Sequence, residues 1–449
     1  MIMAQKINIS GAGLVGSLLS IYLKDRGHDV TMYERRPDMR RTDISAGKSI
    51  NLAMSDRGWK GLEGAGIADE VRDVAIPMYK RVMHAVDGTL TDQPYGKEGQ
   101  AIYSVSRGGL NARLMDLAEK KGVKIEFNQK CADVDPDSST ATFESYETGE
   151  TTQVGGDALF GTDGAFSAVR AVMQKTDRFT YSQQYIEHGY KELNIEPNAD
   201  GSHKLEKNAL HIWPRGQYML IALPNTDGSF TCTLFFPYEG DPSFETIKTK
   251  ADVESFFESQ FADVIPLMPD YADQYFENPT ASLVIVRCFP WSRNGKVCLL
   301  GDASHAIVPF YGQGMNSGFE DCSVLAELMD EHGDDWKTIF PKFEKLRKPN
   351  SDAIADLAMR NFVEMRDLTG DPQFLLQKQI EARFHQKYPE QWLPLYSMVT
   401  FSHIPYAEAL AEGQRQDRIM AEIMAMPSIH RMWDTVEVEQ KILELLNKY

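Results

Sequence analysis

The stretch that most constrains the fold is the strand, glycine turn, helix and second strand predicted over residues 6–34. Apolar and polar residues alternate along Lys6–Ser10, and Gly11, Gly13 and Gly16 then form a G-x-G-x-x-G pattern. In such a turn the first glycine permits the tight bend, the second lets a pyrophosphate approach the backbone, and the third allows close helix packing. Free N–H groups at the helix N-terminus attract phosphates. The stretch predicts a dinucleotide-binding site.

Glu34 ends the second predicted strand, where a carboxylate accepts hydrogen bonds from ribose hydroxyls. Four arginines follow it, at positions 35, 36, 40 and 41. Charge runs are usually solvated loops. Guanidinium groups also match the geometry of phosphates, so the same run is a candidate site for the 2′-phosphate of NADPH. Both interpretations stay open at this point.

Composition excludes several classes of protein. The 449 residues carry a formal net charge of -18, which argues against nucleic acid as a main partner. Five cysteines show no C-x-x-C or Cys/His spacing, so we expect neither a disulfide framework nor a zinc site. The first predicted strand begins almost at Met1 and no apolar run approaches about 20 residues, so we expect no signal peptide and a cytoplasmic protein without a transmembrane anchor.

Two later stretches repeat the pattern of an acid at the end of a strand. Residues 158–170, ALFGTDGAFSAVR, place Asp163 after a short apolar strand. Residues 296–321, KVCLLGDASHAIVPFYGQGMNSGFED, place Asp302 after a buried strand and before a glycine-rich helix start. Such an acid is suited to hold a ribose or a similar hydroxyl group. His305 is interpreted as structural, because no nucleophile or partner acid accompanies it in the sequence.

The remaining chain divides by composition. Residues 178–286 are predicted to be mainly β, with an inserted helix, and the chain from residue 325 onward is predicted to be helical. Among the predicted helices, one ends at Leu346 and the next begins at Ser351. The alternation of strands and helices in the first part predicts an α/β fold with a parallel sheet.

The three acid- and glycine-containing motifs, in this order, resemble the flavoprotein aromatic hydroxylases of the p-hydroxybenzoate hydroxylase fold. Within that group, several segments are similar to the kynurenine 3-monooxygenase family: IPMYKRVMH, YSQQYIEHGYKEL, LHIWPR, SFTCTLFFP, HAIVPFYGQGMNSGFEDC, NFVEMRD and LYSMVTFSHIPY. The similarity extends to about residue 406. The eukaryotic members carry a C-terminal membrane segment that we do not find here.

The resemblance implies an α/β fold with a Rossmann-like FAD-binding domain, an interleaved β-sheet substrate domain and a C-terminal helical region. We expect a discontinuous FAD-binding domain at 1–75, 98–177 and 287–360, a β-rich substrate domain at 76–97 and 178–286, and the helical region at 361–449. Whether that helical region acts as a lid is left open, as is a monomeric or homodimeric state.

The motifs and the resemblance together imply a set of FAD-binding residues. These are Gly11, Gly13, Val15, Gly16, Glu34, Arg36, Ala53, Arg107, Asp163, Asp302, Gly314, Met315 and Asn316. Only one G-x-G-x-x-G pattern occurs, so we expect NADPH to bind transiently and not in a second dinucleotide fold. The preference for NADPH over NADH is not determined by these residues.

The resemblance also implies substrate-binding residues. Arg81 and Tyr95 match the pair that grips the amino-acid carboxylate of the substrate, Asn361 and Tyr396 match C-terminal substrate residues, and Phe310 matches an aromatic wall near the flavin. Four further apolar residues are suited to extend that wall and exclude water from it: Phe235, Phe236, Pro309 and Met365. No catalytic side chain and no metal site is predicted, because the flavin performs the chemistry.

The implied reaction is the hydroxylation of L-kynurenine to 3-hydroxykynurenine with NADPH and O2, through a flavin C4a-hydroperoxide. It would belong to tryptophan degradation and NAD biosynthesis by the kynurenine pathway. Three alternatives remain: another FAD-dependent aromatic hydroxylase, an FAD oxidase or dehydrogenase without oxygen insertion, and a nucleotide-binding regulatory protein.

Overall fold

A parallel sheet forms the centre of the first half of the molecule. The computed structural model describes residues 4–41, 50–95, 99–368 and 371–449. The strands of this sheet are β1 Lys6–Ser10, β2 Asp29–Tyr33, β8 Lys124–Glu126, β12 Ala158–Gly161, β18 Ser292–Arg293 and β19 Val297–Leu299. They are ordered β18-β19-β12-β1-β2-β8, and all neighbours are parallel except β18 and β19. The predicted α/β class is confirmed.

Helices from distant parts of the chain cover this sheet. They are α1 Leu14–Asp25, α4 Arg107–Lys120, α5 Ala168–Met173, α8 Asp302–His305 and α9 Gly314–His332. Helix α1 packs against both α4 and α9. Ile7 and Ile9 of β1 and Phe160 of β12 are fully buried, as expected for parallel strands that lie between helices.

A seven-stranded sheet forms the second layer. Its strands are β5 Lys80–His84, β6 Leu90–Pro94, β13 Thr180–Ile195, β14 Ala209–Pro214, β15 Met219–Pro224, β16 Phe230–Pro237 and β17 Ala281–Phe289. The order is β17-β13-β16-β15-β14-β5-β6, with the β14–β5 pair parallel and the others antiparallel. Strands β5 and β6 therefore join the strands of residues 180–289 in one sheet. The domain boundaries themselves stay a prediction.

The two faces of this sheet are covered by different helices. Helices α6 Lys250–Gln260 and α7 Tyr271–Glu277 pack on one face, in a core rich in phenylalanine and tyrosine. The long helix α10 Trp336–Val363 and the C-terminal helices pack on the other face, together with a 3₁₀ turn at Pro309–Tyr311. Because successive side chains of a strand alternate between the faces, neighbouring residues enter different cores.

Two small antiparallel sheets complete the β structure. One contains β3 Asn51–Met54, β4 Ile76–Met78 and β7 Ile102–Ser106, and the other contains β9 Gln129–Asp135, β10 Thr140–Ser145 and β11 Thr151–Val154. The short helices α2 Asp56–Gly64 and α3 Ala68–Arg72 follow β3. Helix α2 packs against α9, and this contact brings β3 beside the glycine-rich start of α9.

The C-terminal part of the chain is helical, as predicted. Its helices are α11 Pro372–Lys387, α12 Leu395–Thr400, α13 Tyr406–Met424, α14 Ile429–Met432 and α15 Val436–Lys448, and a π-helical turn at Glu364–Leu368 follows α10. The predicted break between Leu346 and Ser351 is wrong: α10 runs through both Pro341 and Pro349. Burial of one face of α10 and the ion pairs of Arg347 outweigh the hydrogen bond lost at each proline. Within the described ranges, no helix is both long and apolar enough to cross a membrane.

Candidate active site

The glycine turn between β1 and α1 has the geometry that its sequence predicts. Gly11 has a φ of +100°, which favours glycine. A Cβ atom on Gly16 would lie 2.1 Å from the carbonyl oxygen of Gly11, so the helix can approach the strand only without a side chain there. A Cβ atom on Gly13 would meet no protein atom within 4 Å. The open side of the turn therefore lies at Gly13, where a phosphate would approach.

Glu34 closes this turn from the end of β2. Its two carboxylate oxygens accept hydrogen bonds from the backbone N–H groups of Ala12 and Arg36, both at 3.0 Å. The carboxylate is half-buried and each oxygen keeps a lone pair, so Glu34 can also receive ribose hydroxyls. The start of α1, at Gly13, has no side-chain cap and leaves its N–H groups available.

Val15 connects the first motif with the third. A Cβ atom on Gly318 would lie 2.6 Å from Val15 Cγ2, and one on Gly301 would lie 2.9 Å from the same atom. Gly301 directly precedes Asp302, which begins α8. The carboxylate of Asp302 is half-buried and makes no hydrogen bond or ion pair with any residue that the structure describes, so it is available to a ligand.

Asp163 lies at the end of β12, between these two motifs in the sheet. One of its oxygens, Oδ2, accepts hydrogen bonds from the N–H groups of Ala168 and Val169 at 2.7 and 3.2 Å, and so caps α5. The other, Oδ1, is buried and has no hydrogen-bond partner among the described residues. Burial raises the pKa of Asp163. An unsatisfied acceptor at the carboxyl end of the sheet fits a polar ligand such as a dinucleotide.

Asn316 fixes the position of β3 relative to α9. Its side-chain amide donates to the carbonyl oxygens of Ala53 at 2.9 Å and Gly312 at 2.7 Å, and its Oδ1 accepts from the N–H of Ser55 at 2.9 Å. The amide is thus occupied by protein groups. Gly314 and Met315 form the first turn of α9 beside it, and Ala53 also packs against the cluster that contains Tyr95 and Tyr396.

The arginines of the predicted FAD and NADPH sites differ in their surroundings. The side chains of Arg36 and Arg107 are exposed and form no ion pair with a described residue. Arg40 is instead occupied, because it contacts the carboxylates of Asp38, Asp116 and Glu119 at 2.8, 2.8 and 2.6 Å. These carboxylates raise the pKa of Arg40. Of the four arginines predicted to bind a phosphate, only Arg35, Arg36 and Arg41 are exposed.

Arg81 lies on β5, on the side of the sheet that faces the C-terminal helices. Its guanidinium carbon is 4.4 Å from the ring centre of Tyr396 and 5.3 Å from that of Tyr95. Its Nε is buried and has no hydrogen-bond partner, and no carboxylate pairs with the side chain, within the described part of the chain. A half-buried cation without an anion is costly, and a bound carboxylate would satisfy it.

Tyrosine rings stack beside Arg81. Tyr95 and Tyr396 are nearly parallel with ring centres 5.6 Å apart, and Tyr311 also stacks with Tyr396 at 5.5 Å. Burial raises the pKa of Tyr95, so its hydroxyl remains a hydrogen-bond donor. That hydroxyl is also buried and unsatisfied by the described residues. Arg81 Nε and the Tyr95 hydroxyl are therefore two neighbouring donors that lack an acceptor among the described residues.

An aromatic wall adjoins this group. Phe310 stacks on Phe362 with ring centres 4.0 Å apart and contacts Phe235 at 4.9 Å. Asn361 donates from its amide to the carbonyl oxygen of Phe310 at 2.7 Å and contacts the sulfur of Met365 at 3.2 Å. Asn361 thus holds the wall in place, and this contact occupies one of its amide hydrogens. Residues 310–316 run from this wall to the start of α9, and Gly318 of α9 lies against Val15 at the glycine turn.

Comparison with known proteins agrees with this geometry. An FAD-binding domain family model matches residues 4–338. A kynurenine 3-monooxygenase of Flavobacterium johnsoniae is 56% identical over 443 residues, which cover 99% of each chain. That of Dictyostelium discoideum is 43% identical over 458 residues and 98% of each chain.

The chain belongs to the kynurenine 3-monooxygenase family.

Solved structures of other proteins show the same fold. The chain is similar to 2-methyl-3-hydroxypyridine-5-carboxylic acid oxygenase, with a TM-score of 0.67, 22% identity and coverage of 85% of this chain and 96% of that one. It is also similar to the tetracycline destructase Tet(55), with a TM-score of 0.61, 18% identity and coverage of 82% and 92%. The kynurenine 3-monooxygenase relatives and the FAD-binding family model together make the chain an enzyme of the flavin-dependent monooxygenase class.

The structure corrects the prediction for Phe236. Phe236 points to the face of the seven-stranded sheet that α6 covers, where it contacts Phe244 and Phe256. Its neighbour Phe235 points to the other face and contacts Phe310. The alternation of side chains along β16 separates the two residues, so only Phe235 joins the aromatic wall.

Sequence reasoning also missed residues that the fold brings together. Tyr311 and Phe362 belong to the aromatic group, although no sequence pattern singled them out. His305 has a partner acid after all, since its Nε2 lies 2.6 Å from Asp321 Oδ2. Asp321 stands on α9, in the segment GFEDC that was matched only as a motif, and helical spacing from Gly318 would have placed it on the buried side of α9.

Proposed function

We propose that this chain hydroxylates L-kynurenine to 3-hydroxykynurenine, with FAD as bound cofactor and with NADPH and O2 as co-substrates, in the kynurenine pathway of tryptophan degradation and NAD biosynthesis. The observation that carries the proposal is the pair of unsatisfied donors at Arg81 and Tyr95, beside the stacked ring of Tyr396. Kynurenine is an amino acid with an aromatic ring, and both of its parts find a matching surface here.

The carboxylate of the substrate would be bound by Arg81. A guanidinium group forms charge-assisted hydrogen bonds with a carboxylate, which offset the loss of water around both groups. The hydroxyl of Tyr95 supplies a further donor. Tyr396 covers the guanidinium, so Arg81 has little freedom and is already oriented when the ligand arrives.

The residues proposed for FAD surround the carboxyl end of the parallel sheet. Gly13 and the start of α1 would receive the pyrophosphate, Glu34 a ribose, and Asp302 the hydroxyls of the chain that leads to the flavin ring. Asp163 has one free oxygen for the same ligand. When bound, FAD supplies the electron transfer and oxygen activation that no protein side chain provides.

The aromatic wall has the role of excluding water. Phe310, Phe362 and Phe235 form continuous apolar contacts between the predicted substrate group and α10. Water at this place would divert activated oxygen to hydrogen peroxide, and a dry wall prevents such side reactions. Asn361 and Met365 support the wall from the end of α10.

A turnover assay tests the proposal. The holoenzyme is supplied with L-kynurenine, NADPH and oxygen, and 3-hydroxykynurenine and hydrogen peroxide are measured together. We expect NADPH oxidation to depend on kynurenine and to yield mainly the hydroxylated product. Formation of peroxide alone would indicate an oxidase, and no NADPH oxidation under any condition would contradict an NADPH-dependent hydroxylase.

A further inference from the structure

Four charged side chains form a buried chain between the flavin side and the substrate side of the site. They are Arg57 on α2, Glu320 and Asp321 on α9, and Arg347 on α10. The side chains of Arg57, Asp321 and Arg347 are 1%, 0% and 3% exposed, and that of Glu320 is 15% exposed. Two positive and two negative charges balance, and three helices are joined through them.

Asp321 forms the end of the chain on the flavin side. Its Oδ2 accepts hydrogen bonds from the N–H of Gly301 at 2.9 Å and from Nε2 of His305 at 2.6 Å, while Oδ1 accepts from Nε of Arg347 at 2.7 Å. Attraction to His305 and Arg347 outweighs burial and lowers the pKa of Asp321 to about 2. The carboxylate thus stays charged and fixes the turn that immediately precedes Asp302.

Arg57 forms the end on the substrate side. It pairs with Glu320, donates from Nε to the carbonyl oxygen of Val399 at 3.3 Å, and donates from Nη2 to the carbonyl oxygen of Ile404. Its guanidinium carbon also lies 4.0 Å from the ring centre of Tyr406. Val399 belongs to α12, the short helix that carries Tyr396. Arg57 therefore fixes the backbone on both sides of the turn after α12.

Glu320 joins the two ends. One oxygen pairs with Arg57, and the other accepts from Nη1 of Arg347 at 2.5 Å. Contacts thus continue without interruption from the Gly301 turn to α12. Buried ion pairs are seldom more stabilising than apolar side chains of similar volume, because both charges lose their water. Stability alone therefore explains such a chain poorly, whereas fixing two segments in one relative position explains it directly.

We propose that Arg57 and Glu320 are positioning residues that couple the site of FAD to the site of the substrate carboxylate. The four linked charged side chains hold the Gly301 turn, and with it Asp302, in a fixed position relative to Tyr396. A ligand that orders one end therefore favours the ordered arrangement at the other end. This inference rests on the proposed function, since it takes kynurenine as the ligand that Arg81 and Tyr396 receive.

The test measures coupling between the two ligands. FAD release from the holoenzyme on dilution is followed by flavin fluorescence, with and without saturating kynurenine, and the ratio of the two FAD dissociation constants is the coupling factor. Allosteric coupling typically changes affinity by about 5-fold or more. We expect kynurenine to tighten FAD binding by at least about 5-fold in the wild-type protein. In Glu320→Gln we expect a factor near one.

Glu439→Gln is the matched control. Glu439 is also a buried glutamate that bridges two cations, Arg383 and Lys387, but it stands on α15 and contacts neither end of the chain. We expect it to keep the wild-type coupling factor. A purely structural role of Glu320 would lower stability or both separate affinities and leave the factor unchanged, and that result would overturn the inference, as would a wild-type factor of one.

Arg57→Lys keeps the test decisive if Glu320→Gln does not fold. Lysine retains the charge balance but loses the guanidinium fork, so its contacts with Val399 and Ile404 cannot both form. The same fall of the coupling factor is expected, and an unchanged factor would overturn the inference. If wild-type holoenzyme binds no kynurenine, the proposed function fails as well, whereas binding without coupling refutes this inference alone.

Discussion

The guanidinium carbon of Arg81 lies 4.4 Å from the ring centre of Tyr396, although these residues stand near opposite ends of the chain. Arg81 is on a strand of the seven-stranded sheet, and Tyr396 is on a short helix of the C-terminal region. Their contact closes the site between the sheet and the C-terminal helices, and it leaves the guanidinium group without an anion among the described residues.

Arg81→Met should remove kynurenine binding and leave FAD bound. Loss of the charge-assisted hydrogen bonds to a carboxylate costs about 3 kcal/mol, which corresponds to roughly 100-fold in affinity. Kynurenine affinity is measured by the change in flavin absorbance and FAD content by the protein-to-flavin ratio. Arg431→Met, at an exposed arginine of α14, is the control. Wild-type kynurenine affinity in Arg81→Met would rule out the carboxylate role.

Two glycine variants should separate folding from FAD binding. Gly16→Ala places a Cβ atom 2.1 Å from the Gly11 carbonyl oxygen, and we expect it to destabilise the protein by about 3 kcal/mol. Gly13→Ala meets no protein atom within 4 Å, so thermal stability without FAD should be unchanged while FAD affinity falls at least about tenfold. Equal FAD affinity in Gly13→Ala and wild type would show that the pyrophosphate binds elsewhere.

The arginines after β2 should differ in their effect on NADPH. Arg40 is occupied by three carboxylates, and Arg40→Gln should lower the melting temperature without changing the KM for NADPH. Arg35 and Arg41 are exposed, and their joint replacement by Gln should raise that KM about twofold to fivefold, an effect that salt weakens. Steady-state kinetics at low and high ionic strength measure both. A KM unaffected by the double variant would contradict the phosphate patch.

Acid should destabilise the protein through His211. Burial lowers the pKa of His211 to about 4, while in the unfolded chain the pKa is about 6.5. The unfolded state therefore binds more protons between these values, so the stability from the neutral imidazole is present above pH 6.5 and is lost as pH falls towards 4. If the whole difference between the two pKa values is realised, the free energy of unfolding falls by about 3 kcal/mol.

Thermal melts from pH 7 to pH 4 would measure this dependence. Nε2 of His84 lies 3.0 Å from Nδ1 of His211, and the carbonyl oxygen of Glu206 lies 2.9 Å from Nε2 of His211. His211→Gln should show a shallower fall of melting temperature with acid than wild type. Burial also lowers the pKa of His28, which remains in both proteins, so the difference between them reports His211 alone. Parallel curves would refute the assignment.

The sequence predicts structural features correctly where residues close together in the chain determine them. The positive φ of Gly11 and the close approach of Gly16 to the Gly11 carbonyl oxygen lie within one βαβ unit, so the spacing of the glycines predicts them. Phe235 and Phe236 show the limit of such reasoning. Both are apolar and adjacent, and only the register of β16 within the sheet decides which of them meets Phe310.

Long-range ion pairs also escaped prediction. Nothing in the sequence pairs Arg57 with Glu320, or Arg40 with Asp116, because each pair stands on separate helices or loops. The continuity of α10 through Pro349 has the same origin, since packing of its buried face overrides the local preference of proline.

The sequence by itself determined the α/β class, the glycine turn with Glu34, and the resemblance to flavoprotein hydroxylases, because these depend on local spacing and residue type. The resemblance implied that Arg81, Tyr95 and Tyr396 share a substrate site, but only the tertiary structure decided that Tyr311 joins them in one stacked group, and that four buried charges join the Gly301 turn to α12. Such groups arise where distant segments pack together, and burial then fixes which charges must pair and which remain for a ligand.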